Sequence, residues 1–156
     1  MFGKKVFCIL SVFLGLSLPV SAQENAGDDF GKVIVYYFHP DYRNFICNKV
    51  ERMTREAVEQ NFAEEAEEGK VEFRSVDITK KENKALAQNY EIGIGNRVVV
   101  LARVFDYKDE EVRKPEQVWR LSIDEIKYKK YISEEIANML KQEKPKSRWK
   151  TMLRAR

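Results

Sequence analysis

An apolar segment that leads into a helix with a cysteine in its first turn is the feature that most constrains this fold. Residues 33–38 are continuously apolar or aromatic and include β-branched side chains, a pattern typical of a strand that is covered on both faces. Pro40 follows closely and cannot donate a ladder hydrogen bond, so the strand is predicted to end before it. A long helix is then predicted, with Asn44 as its N-cap and Cys47 in its first turn.

Hydrophobic periodicity predicts the rest of this helix and two further strands. Alternating apolar and polar residues predict a second strand over 71–76, and a valine-rich run predicts a third over 97–105. The first helix is predicted to fray over 65–68 and to stop at Gly69. Its buried stripe is predicted from helical spacing to be Ile46, Val50, Met53, Ala57 and Phe62.

The second half of the chain predicts a short helix, a fourth strand and a closing helix. Residues 79–82 and 122–125 are spaced as capping boxes, in which a hydroxyl and a carboxylate satisfy backbone N–H groups at a helix start. Between the two helices, 106–115 is predicted as a charged hairpin connection and 117–121 as a short strand. Pro145 is predicted to end the last helix. The apolar side of that helix is predicted to be Tyr128, Ile132, Ile136 and Met139.

The predicted order β-α-β-α-β-β-α is that of a thioredoxin-like α/β fold, a central mixed four-stranded sheet flanked by helices. Such a fold places its Cys-x-x-Cys motif where a strand, a short polar turn and a helix meet. Residues 39–47 form a junction of this kind, with Cys47 at the second cysteine position and Asn44 where the first would stand. We therefore expect one thioredoxin-like domain over 32–142, which suits a chain of 156 residues.

The N-terminus has the pattern of a secretory signal peptide. Two lysines precede an apolar run over 6–18, and small residues over 20–22 predict cleavage after Ala22. A membrane anchor is the weaker alternative, because the run is shorter than the roughly 20 residues that a spanning helix needs. Residues 1–22 are thus predicted to be a signal peptide and 23–31 a linker, so that the mature protein is secreted or periplasmic.

Cleavage would also remove one of the two cysteines, since Cys8 lies inside the predicted signal peptide. An exported compartment permits disulfides, yet Cys47 would then have no partner within the chain. The lone thiol could be free, joined to a partner protein, or part of a disulfide-linked dimer.

The segment 35–65 resembles a family of small exported bacterial thioredoxin-like proteins that is labelled an accessory subunit of a nitrophenyl-compound nitroreductase. The matching motifs are Tyr-Tyr-Phe-His at 36–39, an aromatic-Arg pair at 42–43, the second cysteine at Cys47, Asn-Phe-Ala at 61–63 and Val-Trp at 118–119. The resemblance covers about residues 33–140. It implies the thioredoxin-like fold, whereas the family label by itself implies little chemistry.

The departures from that family and from thioredoxins bear directly on the chemistry. Asn44 stands where the family has its exposed first cysteine, and 45–46 lack the proline that usually lies between the two cysteines. Residues 95–98 lack the cis-proline that faces the dithiol in thioredoxins, and a cis bond without proline costs roughly 2.5 to 4 kcal/mol. One thiol must attack and a second must resolve the mixed disulfide, so no dithiol cycle is expected once Cys8 is removed.

Three roles remain open for Cys47. It could be a core residue of a degenerate module that binds a protein partner, since a free cysteine is commonly a small buried hydrophobe. It could be the reactive group of a single-thiol oxidoreductase, because a helix N-terminus favours the thiolate, although burial opposes it. It could join His39 in a metal or cofactor site, but two ligands are too few for a closed site, and no cofactor is predicted.

His39 and Arg43 are the other candidate site residues. His39, the only histidine of the chain, is predicted to be hydrogen-bonded at the end of its strand; alternatively, it could lie near Cys47 and stabilise a thiolate. Arg43 could stabilise the same thiolate or could be solvated in the turn. The aromatic residues predicted to lie in the core are Tyr36, Tyr37, Phe38 and Trp119.

A basic tail over 143–156 is predicted to be solvated or to contact an anionic surface, either lipid headgroups or a partner. Nucleic-acid binding is not expected, because Trp149 is the only aromatic residue of the tail. The sequence therefore predicts an exported interaction or accessory module of a redox pathway, with a single-thiol oxidoreductase as the alternative. The expected partner is a protein, such as a redox enzyme or a thiol-transfer membrane protein.

Overall fold

The computed structural model describes residues 29–106 and 109–143. Its strands are β1 (Val33–His39), β2 (Val71–Asp77), β3 (Val98–Val104) and β4 (Glu110–Arg113). Its helices are α1 (Phe45–Asn61), α2 (Ala63–Glu67), α3 (Lys84–Asn89), α4 (Val118–Leu121) and α5 (Glu125–Leu140), with a 3₁₀ turn (Lys81–Asn83) before α3. The predicted signal peptide, residues 23–28 of the predicted linker and residues 144–156 of the basic tail lie outside the described residues.

The four strands form one mixed sheet in the order β2-β1-β3-β4. β1 runs parallel to β2 and antiparallel to β3, and β3 runs antiparallel to β4. Tyr37 illustrates the register, because it lies opposite Ser75 on β2 and Val99 on β3. The predicted mixed four-stranded sheet with flanking helices is confirmed.

β1 lies at the centre of the hydrophobic core, because successive side chains of a strand point to opposite faces of the sheet. Its odd-numbered apolar residues pack against α1 and α5. Its even-numbered residues Ile34, Tyr36 and Phe38 pack against Tyr90, which follows α3. All seven residues of β1 are buried, as the continuous apolar run predicts.

The apolar stripes predicted for α1 and α5 face the core, with two corrections. The predicted residues that are buried are Val50, Met53 and Ala57 of α1, Phe62 directly after it, and Tyr128, Ile132, Ile136 and Met139 of α5. Ile46 is exposed, because the buried stripe of α1 begins with Cys47 instead. α5 ends at Leu140 rather than at Pro145, which lies outside the described residues.

The strand predicted over 117–121 is wrong. Residues 118–121 form the short helix α4, and the fourth strand is β4, inside the segment that was predicted as a connection. A short apolar run does not by itself distinguish a strand from a buried helical turn, and here Val118 is buried in the cluster that includes α5. β4 lies at the edge of the sheet and pairs only with β3, where a charged sequence is tolerated.

Neither predicted capping box forms. The Thr79 hydroxyl donates to Asp77 Oδ1 at 2.6 Å instead of capping a helix. Asp124, rather than Ser122, caps α5 by accepting a hydrogen bond from the Lys127 backbone N–H at 3.1 Å. Because the Ser122 hydroxyl donates to a carbonyl of α4, the next suitable acceptor along the chain takes the N-cap position.

Candidate functional site

Cys47 lies in the first turn of α1 and is only 2% exposed. Its backbone N–H donates to Asn44 Oδ1 at 2.9 Å, and its carbonyl oxygen accepts from the Tyr37 hydroxyl at 3.0 Å. These two bonds fix the backbone of Cys47 between the helix N-terminus and β1. The burial of the residue suits a core cysteine and also suits the sheltered second cysteine of a dithiol motif.

Asn44 is the N-cap of α1, as predicted. Its backbone is extended, with φ −96° and ψ 178°. Its side-chain oxygen satisfies one of the N–H groups that an α-helix leaves without a partner in its first turn. Where a Cys-x-x-Cys motif would carry its first thiol, this chain therefore carries an amide that supports the helix and has no nucleophilic sulfur.

Tyr37 secures the opposite side of Cys47. Burial raises the pKa of Tyr37 well above its usual range, and the neighbouring Cys47 and Glu51 raise it further. The hydroxyl group consequently stays protonated even in alkaline solution and continues to donate to the Cys47 carbonyl oxygen. This buried bond joins the centre of β1 to the first turn of α1.

His39 is buried at the end of β1 and is hydrogen-bonded there, as predicted. Its Nδ1 lies 2.9 Å from the Pro40 carbonyl oxygen, and its Nε2 lies 3.0 Å from Ser75 Oγ on β2. Because a carbonyl oxygen can only accept, Nδ1 carries a proton and donates to it, while Nε2 is paired with the serine hydroxyl. With both ring nitrogens engaged, neither is left to hydrogen-bond the Cys47 thiol.

Arg43 lies immediately before the N-cap and forms an ion pair with Glu51 of α1. Glu51 also accepts from Arg55 at 3.2 Å. One carboxylate thus joins the turn to the exposed face of the helix, and Arg43 is paired rather than merely solvated. The charge that would be needed to stabilise a thiolate is balanced by Glu51.

A shallow groove of about 430 Å³ lies beside the start of α1. It is lined by Asn44, Ile46 and Cys47 of α1 and its N-cap, by Gly95, Asn96 and Arg97 before β3, and by Trp119 of α4. The Arg97 guanidinium donates to the Tyr42 carbonyl oxygen at 2.9 Å and so joins two of these segments. Gly95 has φ +84°, a backbone conformation that favours glycine, and the described residues contain no cis peptide bond.

Large apolar side chains are exposed in the groove lining and close to it along the chain. Ile46 and Trp119 line the groove and are exposed. Tyr42 and Phe45, near the N-cap of α1, are 79% and 77% exposed, and Ile94, next to Gly95, is also exposed. We call these five residues the apolar rim. A set of exposed aromatic and aliphatic side chains of this kind is typical of a surface that another protein covers.

The composition of the rim corrects one prediction and adds residues that sequence reasoning missed. Trp119 is not a core residue, because it is 41% exposed where α4 meets the groove. Ile94 stands alone between Gly93 and Gly95, and an isolated apolar residue between glycines is a signal that could have marked it as exposed. The structure thus brings Asn44 and Cys47 together with a loop and a helix that are distant in sequence.

No protein family model and no curated protein matches this sequence. Within residues 29–106 and 109–143, no group of three or more His, Cys, Asp or Glu side chains is placed to hold a metal ion. In the same part of the chain, no helix has the length and apolar character needed to cross a membrane.

Proposed function

We propose that this chain is an exported thioredoxin-fold protein without a functional dithiol, which binds a protein partner as an accessory module of a redox pathway. One observation carries the proposal: a buried Cys47, whose backbone N–H is capped by Asn44, lines a groove next to exposed residues of the apolar rim. The Cys47 thiol is buried, whereas a catalytic thiol would have to be accessible to its substrate. The surface around it has the composition of an interface.

The strand arrangement supports the thioredoxin type of α/β fold. β1, α1 and β2 form a parallel crossover unit, and β3 and β4 then add an antiparallel hairpin to the other side of β1. α1 starts directly after the central strand, and α5 packs on the same face of the sheet as α1. In such an arrangement the helix start after β1 is the functional position, and it is here that Asn44 and Cys47 lie.

Thiol–disulfide turnover within one chain requires a second sulfur at this position. An exposed thiolate attacks the target, and a neighbouring thiol then resolves the mixed disulfide. Asn44 has no sulfur, and Cys8, the only other cysteine of the chain, belongs to the predicted signal peptide. The geometry therefore favours recognition over turnover.

The apolar rim supports a protein as the partner. Tyr and Trp supply large contact areas at interfaces, and an Arg near the centre adds directional hydrogen bonds. Arg97 lines the groove together with Asn44 and Trp119. A redox enzyme or a thiol-transfer membrane protein is the proposed partner, and the basic residues 144–156 would add contacts to an anionic surface.

A single-thiol oxidoreductase is the second candidate, since Cys47 lines the groove within the first helical turn. In that role its sulfur would attack a partner disulfide, form a mixed disulfide and release one partner sulfur as a thiolate. A second thiol, supplied by the partner or by glutathione, would then release Cys47.

One assay separates the two candidates. In insulin reduction with glutathione as the reductant, we expect the native chain and Cys47→Ala to show the same background rate. Turnover that disappears in Cys47→Ala would establish the oxidoreductase instead.

Partner capture from the periplasmic fraction of the source cells tests the rim. Phe45→Ser and Ile94→Ser should each reduce capture. Ile126→Ser should not, because Ile126 is also highly exposed but belongs to α5 and does not line the groove. Equal capture by all three variants would show that the rim is not the interface.

A further inference from the structure

The two edges of the sheet differ in how they are built. β4 has only four residues, three of which are charged, and short charged edge strands resist pairing with another chain. β2 forms the other edge with seven residues, and its register with β1 is unbroken from Val71 to Asp77. It contains no Pro, Gly or Lys, the residues that commonly block the edge of a sheet.

The backbone of β2 presents hydrogen-bonding groups at this edge. The Lys70 carbonyl oxygen accepts from the Val33 N–H, and the Ile78 N–H donates to the His39 carbonyl oxygen. The backbone N–H and C=O groups of the even-numbered residues in this segment therefore point toward β1. The odd-numbered residues Val71, Phe73 and Ser75 consequently turn their N–H and C=O groups away from β1. No strand of the described residues lies on that side.

A depression lies beside β2 on each face of the sheet. A depression of about 480 Å³ on the α1 side is lined by Arg55, Glu59 and Phe73 among others. A second depression, of about 390 Å³, lies beside Tyr36 and Arg74. Because side chains of an added strand would alternate between the faces, each depression would receive every second one.

We propose that β2 pairs antiparallel with β2 of a second copy of this chain, about a two-fold axis at Phe73. In this register Val71 lies opposite Ser75 of the other copy, and the outward backbone groups of both chains meet. Within each chain Arg74 already pairs with Glu72 and with Asp29, each at 2.7 Å. In the dimer Glu72 also lies opposite Arg74 of the other copy, and because the same pair repeats across the axis, the two ion-pair clusters join. The segment is thus self-complementary, as an isologous dimer interface requires.

Charge selects this register over its neighbours. An axis at Glu72 would place two glutamates opposite each other, and an axis at Arg74 would place two arginines opposite each other, both of which are unfavourable. An axis beyond Ser75 is disfavoured because it would require the Asp77 carbonyl oxygen to accept a hydrogen bond from the other copy. That oxygen already accepts from the Asn83 side chain at 2.9 Å. An axis at Val71 would also pair opposite charges, Lys70 with Glu72, but Lys70 lies outside β2. Within β2, only the axis at Phe73 pairs opposite charges on both sides.

The aromatic ring of Phe73 also favours pairing in this register. It is half-buried, and the Arg55 guanidinium lies 5.2 Å from its ring centroid. In the dimer the two Phe73 rings would be cross-strand neighbours, each covered by an arginine, and aromatic pairs of this kind stabilise antiparallel strands. The sheet would then continue through eight strands across the two copies.

Ser75→Pro and Ser75→Ala form a matched pair that tests the proposal. Both remove the hydroxyl that contacts His39, but only proline removes the outward N–H of β2. Sedimentation equilibrium of the full chain in reducing buffer should show a dimer whose dissociation constant rises at least about tenfold with proline and much less with alanine. A chain that stays monomeric, or a dimer that both variants weaken equally, would overturn the proposal.

A charge exchange tests the register itself. Glu72→Arg and Arg74→Glu each place like charges opposite in a homodimer, so each variant alone should be mainly monomeric. Mixing the two should restore a heterodimer, because arginines of one chain then face glutamates of the other. If the mixture sediments as two monomers while circular dichroism shows both chains folded, the axis is not at Phe73.

Discussion

Asn44 and Cys47 are joined by a hydrogen bond in which the asparagine side-chain oxygen accepts from the cysteine backbone N–H at 2.9 Å. The two residues that would carry sulfur in a dithiol site are therefore linked through an amide and a backbone group. Asn44 stabilises the start of α1, while Cys47 fills the space beneath it. The first prediction concerns the strength of this link.

Asn44→Ala should lower the free energy of unfolding by about 1 kcal/mol, because the first turn of α1 loses its side-chain cap. Asn48→Ala is the matched control, since Asn48 is exposed inside the same helix, where alanine is the better helix former. Urea unfolding of both variants measures the difference. Equal stabilities of the two variants would show that the cap contributes nothing.

Asn44→Cys in a Cys8→Ser background should allow a disulfide with Cys47. The Asn44 side chain already reaches the Cys47 backbone from the N-cap, and residues at this spacing lie on one face. After mild oxidation, alkylation in denaturant should find no free thiol in this variant. Asn48→Cys in the same background should keep both thiols, because adjacent helical residues do not face each other; two free thiols in Asn44→Cys would contradict the geometry.

Most of the sheet could be predicted from the sequence because β1 and β3 are long apolar runs at its centre. β4 could not, since an edge strand needs few apolar residues and Glu110–Arg113 resembles a charged loop. The strand predicted over 117–121 is wrong for the opposite reason, because Val118 contributes to the core from a helical turn. Tertiary packing, rather than local pattern, decided both segments.

The site was predictable only in part. The N-cap role of Asn44 and the hydrogen-bonded position of His39 follow from local sequence, and the structure confirms both. The groove depends on a loop and a helix more than 45 residues from Cys47 along the chain. A single sequence contains no signal for that proximity, so the exposure of Trp119 was missed.

Thr54 of α1 and Tyr128 of α5 are hydrogen-bonded, and removing either hydroxyl should cost a different amount of stability. Thr54 donates to the Val50 carbonyl oxygen at 2.7 Å, so the Tyr128 hydroxyl, also at 2.7 Å, must donate to Thr54. Thr54→Val leaves a buried tyrosine hydroxyl without an acceptor and should cost about 1–3 kcal/mol. Tyr128→Phe leaves the threonine still bonded and should cost only about 0.5–1.5 kcal/mol by urea unfolding. A larger cost for Tyr128→Phe would contradict this direction of donation.

Arg74 should make stability depend on pH in the acid range. Burial opposes ionisation of Asp29, yet the hydrogen bonds and charge of Arg74 hold the pKa of that carboxyl below its usual range. Hydrogen bonding by Arg74 also lowers the pKa of Glu72. Both carboxyls therefore stabilise the fold above the usual carboxyl pKa of about 4, and this stabilisation is lost as the pH falls through the lowered values.

Asp29→Asn should reduce stability at neutral pH, and its difference from the native chain should shrink as the solution is acidified. Thermal unfolding at a series of pH values measures both quantities. A difference that remains constant down to strongly acid pH would show that the pair of Asp29 and Arg74 does not supply the pH dependence.

The alkylation rate of Cys47 tests the central claim most directly. Iodoacetamide is added to the native chain and to the chain in urea, and peptide mass spectrometry assigns the product to Cys47 separately from Cys8. Because local opening must precede reaction at a buried residue, the native rate should be at least about tenfold lower than the unfolded rate. A native rate equal to or above the unfolded rate would reveal an accessible, activated thiol and would contradict the account of a sheltered cysteine in a binding module.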